Sequence, residues 1–294
     1  QQGETVSVPL NRQDPSIDTA TLEAGLFRDV LGEYTTKVSG TSARRSNVQL
    51  SGEKCNGVIL LPGEVFDYNA VVGERTAEAG FQAATAYSNG ESVLELGGGV
   101  CQTSSTLYCA ALYANLEIVE RTNHSYVSSY VPIGMDATVS WGGPDYKFTN
   151  NSLYPIKIVT IYENNYLTVR ILGTNVDGTS VKMTNEHLST TPYETVYEDD
   201  PTLAPGTEKV KTTPYTGYKY RTYRNVYDAN GKLISSTYEA TSDYKSRNKV
   251  ILRGPAVEPA DGGAQIPTDT TDPTNPVEPT EPQDPDVPAE PTEP

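Results

Sequence analysis

The sequence predicts an α+β fold in which strands outnumber helices, and three observations carry that prediction. Residues 116–172 contain several short segments in which apolar and polar residues alternate, the pattern of half-buried strands. An apolar stripe at helical spacing follows a run of three glycines at residues 97–99. Tyrosine is abundant, with 20 Tyr against 4 Phe, and Tyr suits strands with one polar face. We therefore expect one central helix against a sheet, followed by an elongated all-β module.

Three elements are predicted before the glycine run. Residues 18–23 resemble a capped helix start, and we expect this helix to continue through residues 26–34. A second helix is predicted over residues 44–56, because Asn56-Gly57 provides a suitable C-cap. Residues 58–66 predict a short buried strand with a turn.

The glycine-rich loop at residues 97–101 leads directly into a predicted helix. The apolar residues that recur at helical spacing are Leu107, Ala110, Ala111 and Ala114. Asn115 is a suitable residue to end this helix. Cys101 therefore falls at or just before a helix N-terminus, whose partial positive charge lowers the pKa of a thiol.

The strands predicted after this helix lie at residues 116–121, 137–141, 146–149, 156–162 and 166–172, with a hairpin turn at Asn164-Asn165. We expect the strands from Leu116 to Leu172 to form the sheet against the helix.

A second, polar module rich in Tyr and Thr is predicted from about residue 184 to residue 254, and Asn230-Gly231 marks a hairpin within it. From Pro255 onward the chain contains 11 prolines, ten acidic residues and no Lys or Arg. Such a segment buries no core, so we expect a disordered acidic tail.

Charge and composition exclude several classes of function. The net charge is -16 and ten of those negative charges lie in the tail, so the remainder is mildly acidic and no basic patch predicts a nucleic-acid partner. No Gly-Lys-Ser/Thr follows the glycine run, which argues against a phosphate loop. The chain has three Cys and two His without paired spacing, so we expect no metal and no organic cofactor.

Cys101 is the predicted chemical centre. A cysteine nucleophile needs a base, and of the two histidines His124 is preferred because the strand after the Cys101 helix delivers it; His187 lies near the module boundary. A third group should orient the imidazole, with Asp136 preferred over Ser125 and Ser128. Cys55 and Cys109 are expected to be small buried residues.

A few residues around Cys101 are candidates for substrate or oxyanion binding. The backbone N–H of Cys101 and the side chain of Gln102 are the expected oxyanion donors, with Gly99 and Ser104 beside them. The glycines are expected to let a substrate backbone approach closely.

Ordered segments of this sequence resemble the VanW domain family from about Leu26 to Gly173. The segments that carry the resemblance are residues 45–48, 60–69 (Leu-Leu-Pro-Gly-Glu-Val-Phe-Asp-Tyr-Asn), 72–76, 97–108 (Gly-Gly-Gly-Val-Cys-Gln-Thr-Ser-Ser-Thr-Leu-Tyr), 123–125 (Asn-His-Ser) and 130–139. Residues 1–20 resemble the end of a peptidoglycan-binding-like domain. The later module resembles a G5 domain, with Gly206, Gly217, Gly231 and Gly254 in loose agreement. The expected domains are therefore 1–20, 21–180 (VanW), 181–254 (G5) and 255–294 (tail).

The resemblance implies a cell-envelope protein of a Gram-positive bacterium and an L,D-transpeptidase. Cys101 would attack the third residue of a peptidoglycan tetrapeptide stem, and a second stem would resolve the acyl-enzyme into a 3-3 cross-link. Independently of the resemblance, the positive charges of Arg75 and Arg121 suggest the hypothesis that they bind stem carboxylates. The Ser-His-Gly-Cys element of other L,D-transpeptidases is absent, and here the cysteine precedes the histidine, which predicts shared chemistry on a different fold.

Two further functions are compatible with the sequence: a cysteine peptidase or carboxypeptidase that acts on stem peptides, and a non-catalytic cell-wall-binding protein. The expected partners are peptidoglycan stem peptides and glycan, and we expect a monomer. No apolar run reaches the roughly 20 residues that span a bilayer, and no signal peptide is visible at Gln1. We expect an extracellular protein whose N-terminal membrane anchor lies outside this sequence.

Overall fold

The computed structural model describes residues 19, 23, 26–88 and 91–256, and strands predominate among them as predicted. The helices are α1 (Ser42–Cys55), α2 (Tyr68–Val72) and α3 (Val100–Tyr113). The strands are β1 (Asp29–Lys37), β2 (Ile59–Leu60), β3 (Val65–Asp67), β4 (Ala83–Ser88), β5 (Glu91–Leu96), β6 (Glu117–Glu120), β7 (Lys147–Thr149), β8 (Ile156–Glu163), β9 (Tyr166–Gly173), β10 (Ser180–Thr191), β11 (Thr195–Asp199), β12 (Glu208–Thr212), β13 (Gly217–Tyr227), β14 (Leu233–Tyr244) and β15 (Lys249–Arg253).

Two predicted segments fall mainly on parts of the chain outside this description. The upstream unit at residues 1–20 and the helix start at residues 18–23 are described only at residues 19 and 23, and the tail only at residues 255–256.

The main sheet of the first domain is antiparallel, with strand order β1-β9-β8-β2. β8 and β9 form the predicted hairpin. Asn164 and Asn165 between them both have positive φ, 52° and 63°, which matches the turn that joins two right-twisted strands. The inward residues of this hairpin, including Ile158, Leu167 and Ile171, are fully buried.

The predicted helix through residues 26–34 is wrong, because this segment is a turn followed by β1. Pairing with β9 overrides the local pattern, since Glu33 lies opposite Arg170 and Tyr34 opposite Val169. After a register shift between Val30 and Gly32, β1 packs against α3, where a Cβ on Gly32 would lie 2.2 Å from the carbonyl oxygen of Ala110. Only glycine permits that approach.

Helix α1 confirms the prediction for residues 44–56, and Thr41 caps its start by accepting from the Arg44 N–H. The prediction of one central helix was incomplete, because α1 and α3 have 14 residues each and both pack on the sheet. Helix α3 is the more buried of the two. Asn115, with φ of 58°, follows its end as predicted.

The strands between Leu116 and Leu172 do not form one sheet. β6 and β7 pair with β3 in a separate three-stranded sheet. The segment predicted as a strand at residues 137–141 belongs to no strand. Ala137 bonds to Ser104 and Ser105 of α3, and the N–H groups of Thr138 and Ser140 donate to Thr122 and Pro144, which lie outside any strand. Residues 58–66 supply two short strands with alternating burial instead of one buried strand.

The second domain contains two small sheets, ordered β10-β13-β14 and β11-β15-β12. β11 runs parallel to β15, whereas the other pairs are antiparallel. The turn with Asn230-Gly231 joins β13 and β14 as predicted. No helix among the described residues is long and apolar enough to cross a membrane.

Candidate active site

Cys101 is the second residue of α3, as the sequence predicts, and it is partly buried. The three glycines before it are needed for packing within the chain. A Cβ on Gly97 would lie 2.6 Å from a side-chain carbon of Arg75, and one on Gly98 would lie 2.4 Å from a carbonyl oxygen of β4. Gly99 has φ of 110° and faces α1, where a Cβ would meet Arg44 at 2.9 Å. We expected these glycines to let a substrate backbone approach, but the structure shows that they allow close packing within the chain.

The Thr-Ser-Ser-Thr run after Gln102 fixes the first turns of α3 through four buried hydroxyl groups. Thr103 bonds to Ser51 of α1 at 2.7 Å, and Thr106 bonds to Thr36 of β1 at 2.9 Å. Ser104 and Ser105 both donate to the carbonyl oxygen of Ala137, at 2.6 and 3.2 Å. Since all four are less than 1% exposed, these bonds align α3 on three sides.

The segment after Asp136 lies against the nucleophile position. The Sγ atom of Cys101 lies 3.4 Å from the carbonyl oxygen of Val139 and 3.7 Å from the hydroxyl oxygen of Thr138. The N–H of Ala137 donates to Ser105 at 2.9 Å, so the segment and the helix hold each other.

His124 and Asp136 form the second part of the site. The Nδ1 atom of His124 lies 2.6 Å from Oδ2 of Asp136, and the same oxygen accepts the backbone N–H of His124 at 2.7 Å. Asp136 is 1% exposed. The other ring nitrogen, Nε2, lies 3.4 Å from the hydroxyl oxygen of Tyr130.

The pKa values of the three groups move in the directions that an ion pair requires. Burial on its own would raise the pKa of the Cys101 thiol, but the hydrogen bond and charge of His124 lower it below its ordinary value. Burial likewise opposes charge on His124, but its bonds to Asp136 and Cys101 raise its pKa to about 10. Against burial, His124 and Arg121 keep the pKa of Asp136 low. All three shifts therefore favour the charged forms of these groups: a thiolate, an imidazolium and a carboxylate.

The structure brings the predicted Cys101, His124 and Asp136 together, and Asp136, rather than Ser125 or Ser128, lies at Nδ1 of the imidazole. His187 lies on β10 in the second domain, where its ring bonds to Thr190 at 2.8 Å. The order Cys–His–Asp in space is the arrangement of a nucleophile, a base and a group that orients the base.

Three other candidates, Gln102, Ser104 and Gly99, have neighbours that leave them little access to a substrate. The Gln102 side chain is 1% exposed, donates to Thr36 and Lys37 at 3.0 and 2.8 Å, and accepts from Arg44. Ser104 donates to main-chain carbonyls, as described above, and Gly99 packs on α1. These residues position α3, and the role of the Cys101 backbone N–H as an oxyanion donor stays a prediction.

Arg121 is also a structural residue. Its guanidinium bonds to the carbonyl oxygens of Asp136 and Gly134, to Oδ1 of Asp136, and to Ser242 of the second domain. Arg75 is 9% exposed and donates to Gly73 at 2.8 Å. The prediction that these two arginines bind substrate carboxylates thus conflicts with the partners of Arg121 and the burial of Arg75.

Two contributors were missed by the sequence analysis, Tyr130 and Tyr244. Tyr130 belongs to a segment that carried the family resemblance, and its position six residues after His124 was the available signal. Tyr244 donates a hydrogen bond from its hydroxyl to Oδ1 of Asp136, although 108 residues separate the two. No local pattern could have indicated this second contact.

The remaining cysteines are inert packing residues, as expected. Cys55 and Cys109 are fully buried and unpaired, and burial raises the pKa of Cys55 to about 12. Within the described part of the chain, no group of three or more His, Cys, Asp or Glu residues could hold a metal ion.

Comparison with protein families defines the class of protein. The model for VanW-like proteins matches residues 43–172, and the G5 domain model matches residues 182–256. The chain therefore carries a VanW-like domain followed by a G5 domain.

Two curated relatives share part of this arrangement. YoaR of Bacillus subtilis (strain 168) is 37% identical over 177 residues, which cover 56% of this chain and 58% of YoaR. The vancomycin B-type resistance protein VanW of Enterococcus faecalis (strain ATCC 700802 / V583) is 30% identical over 111 residues, which cover 36% of this chain and 40% of that protein. The chain thus spans about half the length of the curated relatives it matches.

Two solved structures are similar to about a quarter of the chain. The G5 domain of IgA1 protease is 19% identical, with 27% of this chain and 94% of that chain covered and a TM-score of 0.20. HP0197-G5 is 17% identical, with 26% and 97% covered and a TM-score of 0.16.

Proposed function

We propose that this protein is a cysteine-dependent acyl transferase of the bacterial cell wall, an L,D-transpeptidase that forms 3-3 cross-links. The observation that carries the proposal is the 2.6 Å contact between Asp136 and His124, beside a Cys101 thiol whose pKa His124 lowers. Those are the parts that an activated nucleophile needs.

The first half of the proposed reaction forms a thioester. The Cys101 thiolate attacks the carbonyl carbon of the third residue of a tetrapeptide stem, and the negative charge moves onto the carbonyl oxygen. The backbone N–H of Cys101, in the first turn of α3, donates to that oxygen. The His124 imidazolium then gives its proton to the departing D-Ala nitrogen as the C–N bond breaks.

The second half transfers the acyl group to an amine. Neutral His124 accepts a proton from the side-chain amine of a second stem as its nitrogen attacks the thioester. The C–S bond breaks, Cys101 leaves as a thiolate, and His124 is again the imidazolium. Asp136 stays ionised throughout and orients the ring through Nδ1.

The alternative enzyme is a cysteine peptidase or carboxypeptidase, in which water replaces the amine. It shares the same acyl-enzyme, so the same three residues support both reactions. We propose the transferase because the resemblance on residues 97–108 and 123–139 is to the VanW domain family, some members of which are understood to act as L,D-transpeptidases.

A cell-wall location is part of the proposal. One relative carries the name of a vancomycin resistance protein, and G5 domains are associated with cell-wall binding. We propose an extracellular protein of a Gram-positive envelope that acts as a monomer on stem peptides and glycan. A non-catalytic wall-binding protein is the second candidate, and the G5 domain is the observation that favours it.

The test uses a purified disaccharide-tetrapeptide, intact mass spectrometry and muropeptide chromatography. We expect a covalent adduct at Cys101 and 3-3 dimers in the wild type, and neither in Cys101→Ala or His124→Ala. His187→Ala is the matched control, because the other histidine lies in the second domain, and it should retain both. Trimmed monomers without dimers would support the peptidase. Wall binding that is unchanged in Cys101→Ala, with neither adduct nor product in the wild type, would support the binding protein.

A further inference from the structure

The Asp136 carboxylate, which orients His124, accepts a hydrogen bond from a residue of the second domain. We propose that Tyr244, at the end of β14, is a positioning residue for the Cys101 site, so that the G5 domain forms part of the active centre as well as any wall-binding surface. This inference rests on the roles proposed for Cys101 and His124.

The Tyr244 hydroxyl bonds both to the Asp136 carboxylate and to the backbone of the turn before it. It donates to Oδ1 of Asp136 and accepts the backbone N–H of Gly134 at 2.8 Å. The Tyr244 side chain is 2% exposed, so water does not replace it easily. Gly134 has φ of 87°, and a Cβ there would lie 2.7 Å from Thr222 on β13, so the turn before Asp136 is fitted against the second domain.

The residues next to Tyr244 contact the start of the loop that contains His124 and Asp136. Residues 121–140 contain no helix or strand, so contacts with other elements determine where His124 stands. Ser242 accepts from Arg121 at 2.9 Å, and the carbonyl oxygen of Asp243 accepts from Asn123 at 3.2 Å. The N–H of Lys245 donates to the carbonyl oxygen of Ser125 at 2.7 Å. Four consecutive residues thus contact the segment on either side of His124.

Every contact of the Asp136 carboxylate that the structure describes is with a donor. His124 donates to Oδ2 from its backbone and its ring, while Arg121 and Tyr244 donate to Oδ1. Tyr130 and Cys109 are the other titratable groups that interact with this carboxylate. Loss of the Tyr244 hydroxyl leaves Oδ1 to Arg121 alone and leaves the buried Gly134 N–H without its acceptor. The carboxylate then turns more freely and holds the imidazolium less well.

The experiment measures the reactivity of Cys101 directly, in the full chain and without any wall substrate. Alkylation by iodoacetamide is followed from pH 5 to pH 10 by intact mass, and peptide mapping assigns the product. Cys55 and Cys109 are fully buried and serve as internal controls. Tyr244→Phe removes only the hydroxyl. Tyr238→Phe is the matched control on the same strand, because that tyrosine is 58% exposed and its hydroxyl donates to Thr241.

In Tyr244→Phe we expect the midpoint of the alkylation profile to move up by about one pH unit, which makes alkylation at pH 6 about tenfold slower. Tyr238→Phe should match the wild type. A hydroxyl that only stabilises the fold would lower the melting temperature of Tyr244→Phe and leave the midpoint unchanged, and that result overturns the inference. If Tyr244→Phe does not fold, Ser242→Ala provides the same test, because it removes the partner of one nitrogen of Arg121. We then expect an upward shift of the midpoint, and an unchanged midpoint overturns the inference.

The two proposals fail in different ways. A wild-type Cys101 that reacts with the pH profile of an ordinary thiol refutes the proposed nucleophile. A wild-type Cys101 that is activated, with the same profile in Tyr244→Phe, refutes only the role of the G5 domain.

Discussion

Replacement of Asp136 by Asn changes the centre of the site with almost no change in volume. The carboxylate accepts four hydrogen bonds, two from His124, one from Arg121 and one from Tyr244. A carboxamide has only one oxygen, so its NH2 group must face donors on one side whichever way it turns. Arg121, with a side chain 5% exposed, also loses its counter-charge.

The expected cost follows from that geometry. Removing one partner of a buried ion pair costs about 3–5 kcal/mol. We take about 3 kcal/mol, because Arg121 retains bonds to two carbonyl oxygens and to Ser242. For a folded part of this size that is a fall in melting temperature of about 6–12 °C. The same replacement in a catalytic triad lowers the rate on the order of 10⁴-fold, because the wrong tautomer of the histidine is favoured.

The assay combines thermal unfolding with the rate of Cys101 alkylation well below the unfolding temperature. Asp177→Asn, at an exposed turn before β10, is the matched control and should leave both unchanged. An Asp136→Asn protein that melts at the lower temperature but alkylates Cys101 with the wild-type pH profile would show that the carboxylate only stabilises the fold. Our assignment of Asp136 to the site would then be withdrawn.

Three further predictions follow from the same contacts. Transfer activity should depend on pH in a bell shape. The rising limb should lie below the ordinary thiol range because the pKa of Cys101 is lowered, and activity should fall near pH 10 as the His124 imidazolium loses the proton that the leaving amine needs. A pH–rate profile of product formation checks this, and a falling limb near pH 7 would contradict it. Gly98→Ala should destabilise the protein by about 1–3 kcal/mol or more, since its Cβ would lie 2.4 Å from a carbonyl oxygen of β4. Gly63→Ala, with φ of 84° and no atom within 4 Å of its Cβ, should cost only about 1 kcal/mol. Thermal unfolding of both variants measures the difference, and equal losses would argue against steric packing of the glycine run. Gln102→Ala should lower the free energy of unfolding by about 2–3 kcal/mol, because buried hydrogen bonds are lost. The alkylation rate of folded Cys101 should stay near the wild-type value. A rate as low as that of His124→Ala would show that Gln102 takes part in the active site after all.

The sequence identified the local features well. Helix α1, the start of α3 at Cys101 and the Asn164-Asn165 turn were all predictable, because caps, helical spacing and turn residues act over a few positions. The strand β1 was mistaken for a helix because its partner β9 lies more than 130 residues away. Residues 137–141 were mistaken for a strand because their alternation does not reveal that Ala137 bonds to hydroxyls of α3 instead of to a neighbouring strand.

The chemistry of the candidate site divides in the same way. Cys101, His124 and Asp136 were chosen from the sequence, since each is a residue type that the proposed reaction requires and each lies within a recognisable motif. The neighbours that give them their charges and orientation were not. Gln102 and Arg121 have the right chemistry for substrate binding, and only their buried partners show that they hold the structure instead.

The sequence by itself therefore determined which residue types are present for cysteine chemistry and how the chain is divided between a VanW-like domain and a G5 domain. The tertiary structure decided how the carboxylate, the imidazole and the thiol are aligned, and it decided that Tyr244 from the second domain reaches the first. Hydrogen bonds between distant segments depend on the packing of whole sheets, and no local pattern of residues encodes that packing.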